Sequence, residues 1–331
     1  MSARTPGSVR VGAIDCGTNS IRLLVLEAAL EGGVVVAREQ LHRENRIVRL
    51  GQGVDATGRI APDAMARTLA AAGDYAARCA EHGVQQVRFV ATSASRDAEN
   101  ASEFTTQVAS AFAEHGFEVA PEVISGEEEA RLSFLGATGP LRARGVPGPF
   151  LVVDLGGGST EFVLGDDAVT AARSVDLGSV RLTERHLHSD PPGPQEIVDA
   201  TADIDAGIDD AAQVVDLTAV TTLVGVAGTI TTTAAHALGL SSYDRERLDG
   251  AELPAERVRA AARDLTGRTR AERSELGFMH PGRVDVIGAG ALLWHRIIER
   301  VEQASGITTV TTSESDILDG TALDLAGRHL S

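Results

Sequence analysis

Hydrophobic and polar positions follow two periods along the chain, one typical of strands and one typical of helices. Short apolar runs rich in β-branched residues predict buried strands at 87–92, 118–124, 222–226 and 308–312. Apolar residues three and four positions apart predict amphipathic helices between them. These helices are predicted at 62–82, 98–115, 127–135, 195–215, 254–266, 284–301 and 315–326. Strands that alternate with helices in this way predict an α/β layer structure.

An internal repeat is the most informative pattern. Residues 12–25 align without gaps on residues 151–164, an offset of 139 positions. Both copies read apolar strand, aspartate, glycine-containing turn and alternating strand, with Asp15 and Asp154 at the turns. This order predicts a β-hairpin in each copy, because glycine and asparagine tolerate the positive φ angles of a tight turn.

The repeat and the length together predict two domains. A chain of 331 residues exceeds what one hydrophobic core usually serves. The stretch 141–149 carries two glycines and two prolines and predicts a loop before the second hairpin. We therefore expect one domain at 1–140 and another at 149–312.

Composition excludes several classes of function. No run approaches the ~20 apolar residues of a membrane helix, and the first ten residues lack a secretory signal. We therefore expect a soluble cytoplasmic protein with no membrane partner. The formal net charge of −17 argues against nucleic acid as a partner. All 30 basic Lys and Arg positions are arginine, which excludes a P-loop lysine.

The two turns carry candidate chemistry. An aspartate that ends a strand and precedes a glycine turn lies beside backbone N–H groups, as a metal-bound phosphate chain requires. One such turn alone is explained equally well as an ordinary polar hairpin turn. Two copies with aspartate, glycine and serine at the same positions make a chance match much less frequent. A third segment, 225–232, places small residues and hydroxyls where a strand meets a helix, and helix N-termini favour anions. Taken alone, its glycines are better explained by strand–helix packing.

The two turns and the segment 225–232 resemble the phosphate-1, phosphate-2 and adenosine motifs of the actin-like ATPase superfamily. Two further blocks, 91–100 and 124–132, resemble the exopolyphosphatase/guanosine pentaphosphatase (Ppx/GppA) family. The resemblance implies an α/β fold with two actin-like, ribonuclease H-like domains, each a mixed sheet with flanking helices, around a central cleft. It also implies that the last helix, within 313–331, packs on the first domain.

That family removes terminal phosphate from polyphosphate, or the 5′-phosphate from guanosine pentaphosphate, with Mg²⁺ and an activated water. The resemblance makes Glu129 the catalytic base, Arg96 a phosphate ligand and Glu161 a further catalytic carboxylate. It assigns Mg²⁺ to Asp15, Asp154 and Glu161. It assigns phosphate binding to Gly17, Thr18, Asn19, Ser20, Gly156, Gly157, Gly158, Ser159, Gly228 and Thr229.

Several alternatives stay open at this point. Glu127 and Glu128 are better explained as helix-dipole partners, with Ser125 as N-cap and Glu128 completing a capping box. Without the resemblance, Arg96 is equally a surface arginine paired with Asp97 or Glu99. Arg22 aligns with Glu161 and is expected to face the cleft.

The resemblance implies an exopolyphosphatase connected with the stringent response. We expect no C-terminal helical domains of the kind seen in longer members, and therefore short polyphosphate as the substrate. Guanosine pentaphosphate hydrolysis, a kinase or ATPase activity, and non-catalytic sensing of (p)ppGpp or polyphosphate are the alternatives. A homodimer is a further expectation.

Overall fold

Two mixed β-sheets organise residues 7–330, the part of the chain that the computed structural model describes. Within that part, residues 7–136 and 317–330 form one unit and residues 137–316 form a second. Among the helices of residues 7–330, none has the length and apolar character needed to cross a membrane.

The first sheet belongs to the first unit. Its strands are β1 (Ser8–Cys16), β2 (Ser20–Glu31), β3 (Val34–Ile47), β4 (Gln86–Ala91) and β5 (Glu122–Val123). Their spatial order is β3, β2, β1, β4, β5. The first three are antiparallel neighbours, whereas β4 runs parallel to β1 and β5 parallel to β4. Every residue of β1 is buried, as expected of a central strand covered on both faces.

The second sheet repeats this topology. Its strands are β6 (Phe150–Leu155), β7 (Thr160–Gly165), β8 (Val169–Val175), β9 (Thr222–Val226), β10 (Glu252–Pro254) and β11 (Thr309–Thr312). The order is β10, β11, β9, β6, β7, β8. Here β6, β7 and β8 are antiparallel neighbours, and β9 and β11 continue the sheet in parallel. The repeated hairpins and the α/β class predicted from the sequence are therefore confirmed.

Helices connect and cover the strands. In the first unit they are α1 (Val54–Thr57), α2 (Pro62–Glu81), α3 (Ser93–Arg96), α4 (Ala101–Ala113) and the start of α5 (Gly126–Ala143), which continues into the second unit. In the second unit they are α6 (Ser179–His186), α7 (Pro194–Ala212), α8 (Gly228–Leu238), α9 (Arg245–Leu248), α10 (Ala255–Gly267), α11 (Arg270–Ser274) and α12 (Ile287–Ser305). Short 3-10 turns lie at Leu217–Ala219 and Pro281–Arg283.

Each unit has its own hydrophobic core. In the first, Phe89 of β4 packs edge-on against Phe104 and Phe112 of α4. In the second, Trp294 of α12 is fully buried with Phe162 of β7. Burial of a side chain of this size stabilises the fold by roughly 1.5–3 kcal/mol. Packing thus explains Trp294 without a binding role.

The last helix, α13 (Ile317–Leu330), packs on the first sheet. Leu318, Ala322 and Ala326 recur every four residues and therefore share one face of the helix. That face packs against Val11 of β1 and Leu24 of β2.

Some predicted boundaries were wrong, for identifiable reasons. Helix α4 starts at Ala101 rather than 98, because the Asn100 side chain binds both backbone groups of Ile60. The strand predicted at 118–124 shrinks to β5, since Pro121 has no N–H to donate.

Two further differences concern longer segments. Helix α5 extends to Ala143, through Pro140, so the predicted loop 141–149 begins later. The helix predicted at 284–301 begins at Ile287 instead. The long strand β3 was not predicted: it is an edge strand with no buried residue, and its sequence shows no clear apolar alternation.

Candidate active site

The turn between β1 and β2 is fixed through its backbone carbonyls. The amide of Gly17 donates to the carbonyl of Ser20 at 2.9 Å. Amides of the segment 48–51 donate to the carbonyls of Thr18 and Asn19 at 2.8–3.0 Å. A trans peptide directs its C=O and N–H oppositely, so the amides that follow these carbonyls point away from the segment 48–51.

The turn between β6 and β7 is fixed in the same way. Amides of residues 179–181, at the start of α6, donate to the carbonyls of Gly156 and Gly157 at 2.8–3.1 Å. The Arg181 side chain donates through Nε to the carbonyl of Gly158 at 2.7 Å. Three successive carbonyls are thereby turned towards α6, and the amides of residues 157–159 point the other way. Amides aligned in this manner form an anion-binding concavity.

Two glycines outside the repeat support these turns, and neither was predicted from the sequence. A Cβ on Gly51 would overlap the side chain of Thr18, and a Cβ on Gly178 would overlap the backbone of Gly157. Both positions require glycine because another segment approaches closely. Neither lies in a recognisable motif, so only the structure identifies them.

Gly178→Ala is expected to distort the second turn. The added methyl group meets backbone, which yields less readily than a flexible side chain. We expect unfolding free energy to fall by about 1–3 kcal/mol and KM for a phosphate substrate to rise. Thermal unfolding and steady-state kinetics measure the two effects.

Gly193→Ala is a matched control, because Gly193 also precedes a helix but meets only a flexible Glu196 carboxylate at 3.6 Å. Equal KM values for both variants would contradict the supporting role of Gly178.

The two hairpins differ in the residue opposite their aspartate. In the first, Asp15 pairs across the strands with Arg22, which donates to its carboxylate at 2.9 and 2.5 Å. In the second, Asp154 pairs across the strands with Glu161. Cross-strand partners lie on the same face of a sheet. The first aspartate therefore faces a protein cation, and the second faces another carboxylate.

The Asp154–Glu161 pair fits a divalent cation. Both residues are buried, and Ser174 of β8 orients Glu161 by donating to its Oε1 at 2.7 Å. Mg²⁺ in phosphate-handling sites is typically bound by one or two carboxylates together with water and substrate oxygens. Within residues 7–330, no group of three or more His, Cys, Asp or Glu side chains is arranged to hold a metal. A magnesium site formed by Asp154 and Glu161 needs no third protein carboxylate if water and substrate oxygens supply the other ligands.

Glu129 lies in the first turn of α5. Ser125 caps this helix, since its Oγ accepts the amide of Glu128 at 3.2 Å. The Glu129 carboxylate is buried and accepts from Nη1 of Arg96 at 2.7 Å, while the same nitrogen donates to the carbonyl of Ile124 at 3.0 Å. Arg96 therefore pairs with Glu129 and is only partly exposed, whereas the alternative interpretation made it a surface arginine.

Burial gives Glu129 the protonation behaviour of a base. Its pKa is raised to about 7, mainly because burial desolvates the carboxylate. The nearby Asp15 carboxylate adds to this rise, and Arg96 and Arg22 oppose it. A carboxylate with a pKa near 7 can accept a proton from water and is still about half ionised at neutral pH. The structure thus places Asp15, Arg22, Arg96 and Glu129 together in the first unit.

Glu127 and Glu128, the two glutamates that precede Glu129, have different surroundings. Glu127 is exposed. Hydrogen bonds from Arg131 and Arg88 lower the pKa of Glu128 to about 2. Its carboxylate is therefore bound by arginines, in place of the Ser125 amide that a capping box would use. A group ionised so strongly is a poor base, which leaves Glu129 as the best candidate in this run.

The third predicted segment starts α8. Ala227, just before the helix, has φ 70° and ψ 170°, a conformation that costs a non-glycine residue about 1–3 kcal/mol. The Arg283 guanidinium packs directly over Gly228, where a Cβ would overlap it. A Cβ on Gly290 of α12 would lie 2.7 Å from Thr229, so these segments approach closely. Arg283 is a further basic group that was not predicted from the sequence.

Two glycine turns on sheets of the same topology, with a buried carboxylate beside an arginine, are the features of a phosphate-handling enzyme of the actin-like ATPase class. The profile of the Ppx/GppA phosphatase family matches residues 33–325, and the chain belongs to this family. The chain is 49% identical over 321 residues to Exopolyphosphatase 2 of Mycobacterium tuberculosis, covering 96% of this chain and 99% of that protein.

Solved structures agree with this assignment. The crystal structure of an exopolyphosphatase-like protein has a TM-score of 0.92 and 45% identity, covering 98% of this chain and 100% of that chain. An exopolyphosphatase from Cytophaga hutchinsonii has a TM-score of 0.79 and 27% identity, covering 95% and 98% of the two chains. The family resemblance and the two-domain α/β fold class predicted from the sequence are confirmed.

Proposed function

We propose that this protein is an exopolyphosphatase, which hydrolyses the terminal phosphoanhydride bond of inorganic polyphosphate. The observation that carries the proposal is Glu129, a buried carboxylate with a pKa of about 7, next to Arg96. Phosphoryl transfer to water needs such a base to orient or deprotonate the nucleophile. The similarity over nearly the full chain to Exopolyphosphatase 2 of M. tuberculosis supports polyphosphate as the substrate class.

The proposed reaction uses one water molecule for each phosphate released. Glu129 accepts a proton from the water molecule while the water oxygen forms a bond to the terminal phosphorus. The bond from that phosphorus to the bridging oxygen breaks, and the shortened chain leaves with the electron pair. The products are inorganic phosphate and a polyphosphate one unit shorter.

The remaining residues have electrostatic roles in this proposal. The amides of residues 19–20 and 157–159 bind phosphate oxygens in this proposal, since those of Gly17 and Gly156 already donate to the carbonyls of Ser20 and Ser159. Arg96 contributes positive charge. Asp154 and Glu161 would hold Mg²⁺, which when bound offsets negative charge on the phosphate chain. Asp15 is less suited to that role, because Arg22 already neutralises its carboxylate. Preorganised positive groups of this kind supply most of the catalysis in phosphoryl transfer.

Activity is expected to fall as the pH is lowered through about 7. The base must be ionised, and the folded-state pKa of Glu129 is raised to about 7 by burial. Below that pH, kcat/KM for tripolyphosphate should fall about tenfold per pH unit. The residual activity of Glu129→Gln, measured in parallel, reports ionisation of the substrate alone. An acid limb near pH 4.5, or one shared by that variant, would argue against Glu129 as the base.

A substrate panel tests the proposed function. The purified protein is incubated with Mg²⁺ and tripolyphosphate, long-chain polyphosphate, guanosine pentaphosphate or ATP, and released phosphate is measured. We expect release from one or both polyphosphates, and their ratio reports the preferred chain length. Release from none of the four contradicts the enzyme proposal. Release from guanosine pentaphosphate alone contradicts polyphosphate as the substrate. Tight binding of any of these ligands without phosphate release supports a non-catalytic sensor.

The homodimer and the cytoplasmic location stay predictions. Sedimentation of the purified protein and fractionation of cells test them. The link to the stringent response depends on whether guanosine pentaphosphate is also hydrolysed.

A further inference from the structure

The first turn of α5 is held by a network of charged side chains that does not include Arg96. Its members, here called the Asp324 network, are Arg88, Glu122, Glu128, Arg131 and Asp324. They come from β4, β5, α5 and α13, all within the first unit. The network therefore joins the last helix of the chain to the helix that carries the proposed base.

Asp324 is the centre of this network. Its Oδ2 accepts from Nη1 of Arg88 at 2.9 Å, and its Oδ1 accepts from Nη2 of Arg131 at 2.9 Å. Arg328, one turn further along α13, lies 2.8 Å from the same carboxylate. The Arg88 side chain is only 4% exposed, so its charge is poorly screened by water. A buried guanidinium requires such carboxylate partners, because an unpaired buried charge is strongly destabilising.

Glu128 connects the network to the first turn of α5. Its carboxylate accepts from Arg131 at 2.7 and 2.9 Å and from Arg88 at 3.1 Å. Arg88 also binds Glu122 of β5 at 2.9 Å. Since both arginines in turn bind Asp324, the position of the Glu128 side chain depends on α13.

The neighbouring residue, Glu129, depends on how this turn is oriented. Successive residues of an α-helix are about 100° apart around its axis, so fixing Glu128 fixes the direction in which Glu129 leaves the helix. The first turn of a helix needs such support, because its amides lack the intrahelical partners that later turns have. Ser125 supplies one cap, and the Asp324 network supplies a second attachment.

A backbone contact brings α13 and α5 together one turn further on. Gly320 of α13 lies so close to the carbonyl of Leu132 that a Cβ on Gly320 would overlap it. Gly320 and Asp324 are four residues apart and so lie on the same face of α13. Two successive turns of α13 thus contact α5, one through backbone packing and one through charge.

We propose that Asp324 is a positioning residue, which acts through Arg88, Arg131 and Glu128 to keep Glu129 in the orientation needed for catalysis. The inference rests on the proposed function, since Glu129 has this role only in a hydrolase. Asp324 itself contacts neither substrate nor the reacting atoms in this proposal.

The test compares Asp324→Asn with Asp319→Asn. Asp319 lies on the same helix and binds Arg43 of β3, which does not belong to the Asp324 network. Its side chain is 18% exposed and that of Asp324 is 14% exposed, so the two substitutions are matched in burial, in helix and in the loss of a carboxylate that binds arginine. We expect kcat for tripolyphosphate to fall about tenfold in Asp324→Asn, because small misplacements of a catalytic group cost one to two orders of magnitude. KM should change less than twofold, and Asp319→Asn should keep the wild-type kcat.

A double-mutant cycle separates positioning from general destabilisation. If Asp324 acts through Glu129, Asp324→Asn should have no further effect on kcat when combined with Glu129→Gln. A tenfold loss that persists in the combined variant would show that Asp324 acts elsewhere, and would overturn the inference. Equal losses of kcat in Asp319→Asn and Asp324→Asn would also overturn the inference.

Amide hydrogen exchange gives a readout that does not depend on activity. Residues 126–131 should exchange at least several-fold faster in Asp324→Asn than in wild type or Asp319→Asn. Unchanged exchange there contradicts the inference even if the enzyme is active. A wild-type protein that releases no phosphate contradicts the proposed function instead, so the two failures are distinguishable.

Discussion

Glu129→Gln is expected to lower kcat for phosphate release by about 100-fold or more, which is the usual size of general-base assistance. The glutamine side chain has nearly the same shape but cannot accept a proton from water. Arg96 keeps an acceptor in the carbonyl of Ile124, so the local structure should persist. Steady-state kinetics with tripolyphosphate and saturating Mg²⁺ measure the loss.

Glu127→Gln is the matched control for this variant. Glu127 lies in the same turn of α5 but is exposed, so its substitution should leave kcat unchanged. Full activity of Glu129→Gln would exclude Glu129 as the base and direct attention to Glu161. Equal losses in both variants would point to a general effect on the helix.

Thermal unfolding of Glu129→Gln provides an independent check on the pKa of this group. The folded-state pKa is raised, so ionisation of Glu129 costs stability as the pH rises through about 7. Glutamine stays neutral at every pH. The variant should therefore unfold at a higher temperature than wild type at pH 8, and at a similar temperature at pH 5.

Asp154→Asn is expected to lower Mg²⁺-dependent kcat by about 100-fold or more, since a metal ion at a phosphoryl group contributes several kcal/mol to transition-state stabilisation. Asp154 and Glu161 are buried side by side, and their joint charge is the feature that suits a cation. An amide at one position removes half of that charge. The Mg²⁺ concentration for half-maximal activity should rise as well.

Mn²⁺ binding followed by electron paramagnetic resonance tests the same site without catalysis. We expect weaker binding in Asp154→Asn than in Asp167→Asn, a control on the exposed turn after β7. Wild-type Mn²⁺ affinity in Asp154→Asn would contradict the metal role of the pair. Asp15→Asn should affect Mn²⁺ binding much less, because Arg22 already occupies its carboxylate.

The sequence alone determined the repeated hairpins and the class of fold. Their signal is local: an apolar strand, an aspartate and a glycine turn are specified by neighbouring residues, and two copies at a fixed offset imply two similar sheets. The register of the structure, with Asp15 opposite Arg22 and Asp154 opposite Glu161, follows the same gapless alignment. The family followed from motifs that are also contiguous in the chain.

The residues that support the site could not be predicted from local patterns. Gly51 and Gly178 are required by segments that approach them from elsewhere in the chain. Strand β3 was missed because it is an edge strand whose sequence shows no clear hydrophobic alternation. Such positions depend on packing between distant segments, which periodicity does not record.

The three glutamates at the start of α5 show most clearly what local sequence can predict and what depends on folding. In the sequence, Glu127, Glu128 and Glu129 are equivalent acidic residues at a helix start. The structure exposes the first, binds the second to two arginines and buries the third beside Arg96. Their protonation differs because desolvation and nearby charges set a pKa, and both depend on side chains brought together by folding. The sequence by itself thus determined where a base could lie, and only the tertiary structure decided which carboxylate is suited to be one.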